Sequence, residues 1–150
     1  MQWRRDGFRI NTDPAQLDLE ALHAYLSRSY WAAGIPREVV ERSVRHSLCF
    51  GLHDEKEAPP RQVGFARVVS DLATFAYLGV VFVLEAYRGR GLSKWLMECI
   101  RRHPELQGLR RWSLATRDAH GLYGRFGFTP LGDPGRWMEI HDPEVYARTR

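Results

Sequence analysis

Two glycines alternate with two arginines at Arg88-Gly89-Arg90-Gly91, and the residues that follow read as the start of a helix. Glycine lacks a Cβ atom, so a ligand can approach the main chain closely at such positions. The first N–H groups of a helix have no intrahelical acceptor, and the helix dipole adds about half a positive charge at the same end. Two guanidinium groups strengthen that field. With Leu92 and Ser93 opening the helix, the stretch is shaped for a phosphate or pyrophosphate. It fits neither familiar phosphate loop: the third glycine of the dinucleotide fingerprint is missing, and so is the Gly-Lys-Ser/Thr of the NTPases. The competing interpretation is a structural turn with solvated arginines.

The elements on either side must position that turn. Val81-Phe82-Val83-Leu84 belongs to an apolar run that predicts a buried strand. Leu92, Trp95, Leu96, Cys99 and Ile100 recur at spacings of three and four, so they share one helix face. That helix is predicted to end near His103-Pro104. Strand, turn and helix together resemble the signature of the Gcn5-related N-acetyltransferase (GNAT) family, Arg/Gln-x-x-Gly-x-Gly/Ala. It stands here as Arg88-Gly89-Arg90-Gly91-Leu92-Ser93, with serine in the last small position. A second block, Arg117 to Phe128, resembles the family's Ala-x-x-Leu-Tyr-x-x-x-Gly-Phe. Ala119, Leu122, Tyr123, Gly127 and Phe128 all match it.

The resemblance implies an α+β, three-layer α/β/α fold around a mixed, mostly antiparallel sheet of the acyl-CoA N-acyltransferase type. The expected element order is β-α-α-β-β-β-α-β-α-β-β. It also implies acetyl-CoA as co-substrate, no metal, and a primary amine of a small molecule or peptide as acceptor, attacked directly in a ternary complex. Arg88 to Ser93 would take the pyrophosphate. The main chain of Val81, Phe82 and Val83 would contact the pantetheine arm and offer the oxyanion donor. Tyr123 matches the family tyrosine that faces the sulfur and acts as general acid. A phenol with a reference pKa near 10 stays protonated at neutral pH and can donate to a thiolate. Thr116 stands where the family often carries an asparagine that binds the cofactor. Homodimers are common in the family.

Amine acetylation needs the neutral amine, and at a reference pKa near 10.4 only about 0.04% of a lysine-like acceptor is neutral at pH 7. The resemblance implies an acidic base on this strand or a water chain, and the positions where a carboxylate would be useful are Val80 and Val81. Glu85, Tyr77, His120 and Asp71 are the other candidates, and a water relay needs none of them. Tyr30 and Trp31, before Gly34 and Pro36, are candidates for an aromatic acceptor wall, with Tyr77 a third acceptor contact. An acyl-CoA-binding module without turnover is the alternative reading.

The remaining elements follow from periodicity and breakers. Gly7–Thr12 reads as an edge strand, Pro14–Ser29 and Arg37–His46 as helices, and Ser47–Leu52, Gln62–Ser70 and Thr74–Leu84 as strands. Leu109–Thr116 reads as a fifth strand, and a terminal hairpin is expected to return through Arg136–Ile140. Length predicts one domain, 1–150. A net charge of +4, spread along the chain, does not form the basic block of a nucleic-acid-binding domain. No apolar run reaches the roughly 20 residues of a membrane helix. The N-terminus shows no apolar core of a secretory signal. Cys49 and Cys99 lack metal or CxxC spacing, and reduced thiols in a cytoplasmic protein are expected.

Overall fold

The computed structural model describes residues 1–148. Six strands form one sheet in the order β1-β2-β3-β4-β5-β6: Gln2–Arg5, Phe8–Asn11, Leu48–Asp54, Arg61–Ser70, Phe75–Val83 and Arg111–Leu114. All neighbours are antiparallel except β5 and β6, which run parallel. The parallel pair requires a crossover, supplied by α3 (Leu92–Arg102). Two helices, α1 (Leu19–Ser27) and α2 (Arg37–Arg45), lie between β2 and β3 in the chain.

Strand alternation sends side chains to both faces of the sheet, and each face has its own core. Phe50, Ala66, Val68, Leu78 and Val83 pack with Leu92, Trp95, Leu96 and Ile100 of α3. Cys49, Phe65, Val80 and Phe82 pack with Leu22, Leu26, Val40 and Val44 of α1 and α2. The result is the helix–sheet–helix layering expected. Fully buried residues such as Phe50, Phe65 and Ile10 each contribute about 1.5–3 kcal/mol of hydrophobic stabilisation.

Three expectations are corrected. The N-terminal edge strand is β1, and Phe8–Asn11 lies inside it, paired with β1 and β3. Asp6 and Gly7, at φ 52° and 81°, make the tight turn between them. An Asp-Gly pair is the standard signal for such a two-residue hairpin loop. The expected helix from Pro14 to Ser29 splits into a single 3-10 turn, Pro14–Gln16, and α1. Asp18 causes the break: its carboxylate accepts from the Ala21 N–H at 2.9 Å and its own N–H donates to Gln62 Oε1 at 2.9 Å. The hairpin expected through Arg136–Ile140 does not form. That segment holds a 3-10 turn, Pro134–Arg136, and Met138 and Ile140 stand fully exposed. Pro130 and Pro134 have no N–H to give to a ladder, and Gly132 and Gly135 weaken extended structure further. The observed order is therefore β-β-α-α-β-β-β-α-β-α, followed by the last short helix, α5 (Val145–Arg148).

Candidate functional site

The parallel pair is incomplete. β5 and β6 match from Phe75↔Arg111 to Leu78↔Leu114, and there the pairing stops, whereas β5 runs on to Val83. From Val80 to Val83 the strand stays paired with β4 on one side, and among the described residues no strand pairs with it on the other. A strand whose main chain lacks a neighbour keeps unused N–H and C=O groups along that edge. Gly79 is also skipped in the pairing with β4, since Arg67 faces Val80 and Val68 faces Leu78. Such a bulge bends the strand where the two leave one another. Val81, Phe82 and Val83 lie on the open stretch. The side chains of Val81 and Val83 join the α3 core and that of Phe82 the α1/α2 core, so only their main chain faces the gap.

The Arg88–Ser93 turn follows β5 directly. Gly89 and Gly91 adopt φ values of 80° and 74°, and a Cβ built on either would meet nothing within 4 Å. Gly91 caps α3 without a side-chain acceptor, and the first turn of the helix holds no acidic residue. Its N–H groups therefore point, unneutralised, into open space. Arg88 folds back instead, its Nε donating to the Val83 carbonyl at 3.0 Å, and so braces the turn against the strand. The Arg90 guanidinium lies 5.2 Å from the centre of the Tyr87 ring.

Tyr87 is itself anchored. Its hydroxyl donates to Asp54 Oδ2 at 2.9 Å, and both residues are buried. Burial alone would raise the Asp54 pKa. The Lys56 N–H, the Tyr87 hydroxyl and the Lys56 ammonium outweigh that and hold the carboxyl below the usual range. The same bond, with burial, pushes Tyr87 up. A depressed carboxylate contributes stability that is present above its unfolded pKa and lost as pH falls through the folded one. A raised phenol contributes below its unfolded pKa and loses it on the alkaline side. The pair thus stabilises the base of the turn between about pH 4 and 10. Tyr87→Phe is expected to cost about 1–3 kcal/mol in urea unfolding at pH 7, and the deficit should shrink as pH falls below about 4. An equal deficit at both pH values would contradict this account.

Tyr123 sits on α4 (His120–Gly124), half-buried against the α3 core with its ring edge to Phe128 at 6.1 Å. Burial pushes its pKa up, so the phenol stays protonated across the neutral range. Its hydroxyl has no hydrogen-bond partner among the described residues. Thr116 is partly committed: its Oγ1 accepts from the Ala119 N–H at 3.0 Å, which shapes the approach to α4.

On the opposite face, aromatic rings form a continuous wall. Tyr25 stacks on Phe82 at 3.7 Å, Trp31 tilts against Tyr25 at 6.4 Å, and Tyr30 meets Trp31 edge-on at 5.1 Å. Arg117, just beyond β6, places its guanidinium 3.9 Å from the centre of the Tyr30 ring. Tyr77 is exposed beside Gly79. Tyr25 and Arg117 carry no sequence signal of their own, since helical spacing reads Tyr25 as core and Arg117 as surface.

Asp71 is removed from the set of candidate bases. Thr74 Oγ1 and the N–H groups of Thr74, Ala73 and Phe75 all donate to its carboxylate. These bonds, the Thr74 hydroxyl first, hold its pKa far below the usual range, and they shape the β4–β5 turn. Glu85 lies in a 3-10 turn past the strand, and His120 is exposed at the start of α4. No group of three or more metal-ligating side chains occurs among the described residues. A surface cavity of about 280 Å³ lies between Arg101, Trp112 and Phe128, at the Arg111 end of β6 rather than at the split.

A mixed sheet that parts between its one parallel pair, with an uncapped helix N-terminus at the opening, is the acyl-CoA N-acyltransferase architecture. The comparisons agree. Residues 45–130 match the acetyltransferase (GNAT) domain. A protein of Gibberella zeae described as a candidate acetyltransferase is 32% identical over 142 residues, covering 82% of this chain and 79% of that protein. A crystal structure from Xanthomonas campestris pv. campestris, described as a candidate GNAT acetyltransferase, is 53% identical. It superposes with a TM-score of 0.88 over 93% of this chain and 96% of that one. An aminoglycoside N-acetyltransferase in complex with CoA shares the fold at 19% identity, with a TM-score of 0.60 over 93% and 97% of the two chains. The chain belongs to the GNAT acetyltransferase family.

Proposed function

We propose that this protein transfers an acetyl group from acetyl-CoA to a primary amine of a small molecule or peptide, by direct attack in a ternary complex. The observation that carries this reading is the opening of β5 from β6 directly before an uncapped, glycine-flanked helix N-terminus. The residues present fit such a co-substrate: the space beside Gly89 and Gly91 is open and no carboxylate opposes an anion in the first turn. Acetyl-CoA supplies an activated thioester carbonyl. The chain supplies the rest. The α3 N-terminus holds the diphosphate, and the open edge of residues 79–83 lies along the pantetheine arm and offers an N–H to the carbonyl oxygen. A C–N bond forms as the C–S bond breaks, and the Tyr123 hydroxyl gives its proton to the departing sulfur. With Val80 and Val81 apolar and Asp71 tied into a turn, the proton of the amine leaves through water. The two free, buried cysteines suit the reducing cytoplasm in which we propose the reaction runs.

The lack of a carboxylate on the open strand favours, as a second reading, an acyl-CoA-binding module without turnover. Calorimetry with acetyl-CoA, followed by thiol release in the presence of an amine panel, separates the two. Binding with thiol release establishes the transferase, binding without it leaves the module, and no binding at millimolar acetyl-CoA overturns both.

A further inference from the structure

Arg67 lies on β4 between Cys49 and Val80 in register, and those two side chains belong to the core under α1 and α2. Its guanidinium is therefore on the acceptor face of the sheet. Its one polar contact there is the bond from Nη1 to Ser47 Oγ at 3.2 Å. No carboxylate lies within ion-pair distance of it among the described residues. The neighbouring Cys49 thiol is no counter-ion, since burial pushes its pKa up to about 12. None of its nitrogens is among the buried atoms left without a partner, so the unspent donors of this half-buried guanidinium stay open to an incoming anion.

Its position gives those donors a use. A Cβ on Gly79 would lie 3.1 Å from Arg67 Nη2 and 3.6 Å from the Tyr77 ring, so the missing side chain makes the space the guanidinium occupies. Gly79 is the bulged residue and the first beyond the last β5–β6 pair. The cation thus stands on the acceptor side of the point where the strands part, next to the exposed Tyr77 ring. The rest of that wall is aromatic, with Arg117 lying over Tyr30. Such a surface repels a polycation.

We infer that Arg67 is a specificity-determining residue that binds a carboxylate of the acceptor, so that the substrates are amines carrying a carboxylate close to the amino group, as amino acids do. This deepens the acetyl-transfer reading and rests on it. A planar guanidinium matches a carboxylate with two parallel hydrogen bonds, and anchoring it beside Gly79 holds the adjacent amine near the thioester carbon.

The test uses matched pairs: phenylalanine with phenethylamine, and glutamate with 4-aminobutyrate, which keeps only the distant carboxylate. Thiol release with acetyl-CoA gives kcat/KM for each. The acid bearing the adjacent carboxylate is expected to exceed its partner by about tenfold or more. Arg67→Met should collapse that ratio through a higher KM for the acid, and Arg67→Lys, which keeps the charge without the fork, should restore part of it. Acetyl-CoA affinity measured on each variant reports that it is folded. Equal kcat/KM within the pairs, or a ratio that survives Arg67→Met, overturns the inference and leaves acetyl transfer standing. Acetyl-CoA binding with no thiol from any of these amines overturns it as well. Absence of acetyl-CoA binding removes the acetyl-transfer reading and this inference together.

Discussion

Tyr123→Phe is expected to lower kcat by about 10²–10⁴-fold while acetyl-CoA affinity is preserved. The substitution removes one oxygen from a half-buried ring and leaves its contact with Phe128 in place. No hydrogen bond within the described fold is lost, because the hydroxyl has none to lose. Stability should therefore hardly change, and thermal unfolding of the variant serves as the control. The loss falls on the departure of the thiolate, which without a donor must leave as an anion beside a largely apolar wall. Burial raises the Tyr123 pKa above its ordinary value near 10. The acid form therefore persists up to that range, and wild-type turnover should not decline through this group below about pH 10. Steady-state thiol release from pH 6 to 10, with calorimetry for the co-substrate, checks both parts. An unchanged kcat in Tyr123→Phe would take the general acid away from this residue.

The parts of the fold that were legible in the sequence are those written in short-range pattern. Leu92, Trp95, Leu96, Cys99 and Ile100 mark α3 by spacing, and Arg88-Gly89-Arg90-Gly91 marks its start by residues that other turns do not need. β3, β4 and β5 show as β-branched and aromatic runs, and α2 shows as Val39, Val40 and Val44. Asp6-Gly7 is an equally local signal, but taking Gly7 into an edge strand passes over the β1–β2 hairpin that the pair turns. Asp18 delays the expected first helix to Leu19; its cap on the Ala21 N–H is local, but its own N–H is held by Gln62, 44 residues away, and no window of sequence contains that contact.

The separation of β5 from β6 is likewise a property of register, fixed by where two strands cease to match after Leu78↔Leu114, residues far apart in sequence. Arg67 reads from its neighbours as a strand residue facing solvent. Its register with Cys49 and Val80, and the missing side chain at Gly79, are what set its guanidinium beside the point where β5 leaves β6. Met138, Glu139 and Ile140 alternate apolar and polar over only three residues, and Pro130, Gly132, Pro134 and Gly135 precede them, so no ladder forms. A binary pattern needs an available partner edge as well as a period.

Gly91→Val should weaken acetyl-CoA binding at least about tenfold, with a smaller cost to the fold. Gly91 holds φ at 74°, where an L-residue costs about 1–2 kcal/mol, and a branched side chain more. That strain should lower Tm by several degrees, at about 2–4 °C per kcal/mol for a chain of this size. Chain neighbours aside, a Cβ at this position meets no atom of the described residues within 4 Å, so the cost to the fold is mainly the backbone strain. The void on that side is therefore room kept beside the helix N-terminus, and valine would fill it. Gly91→Ala separates the two effects: it carries most of the backbone strain and one methyl group of the bulk. Affinity that falls progressively from glycine through alanine to valine, while Tm falls mainly at the first step, places the diphosphate in that space. Affinity that tracks Tm alone would mean that Gly91 serves only the turn, and full affinity in the valine variant would put the nucleotide elsewhere.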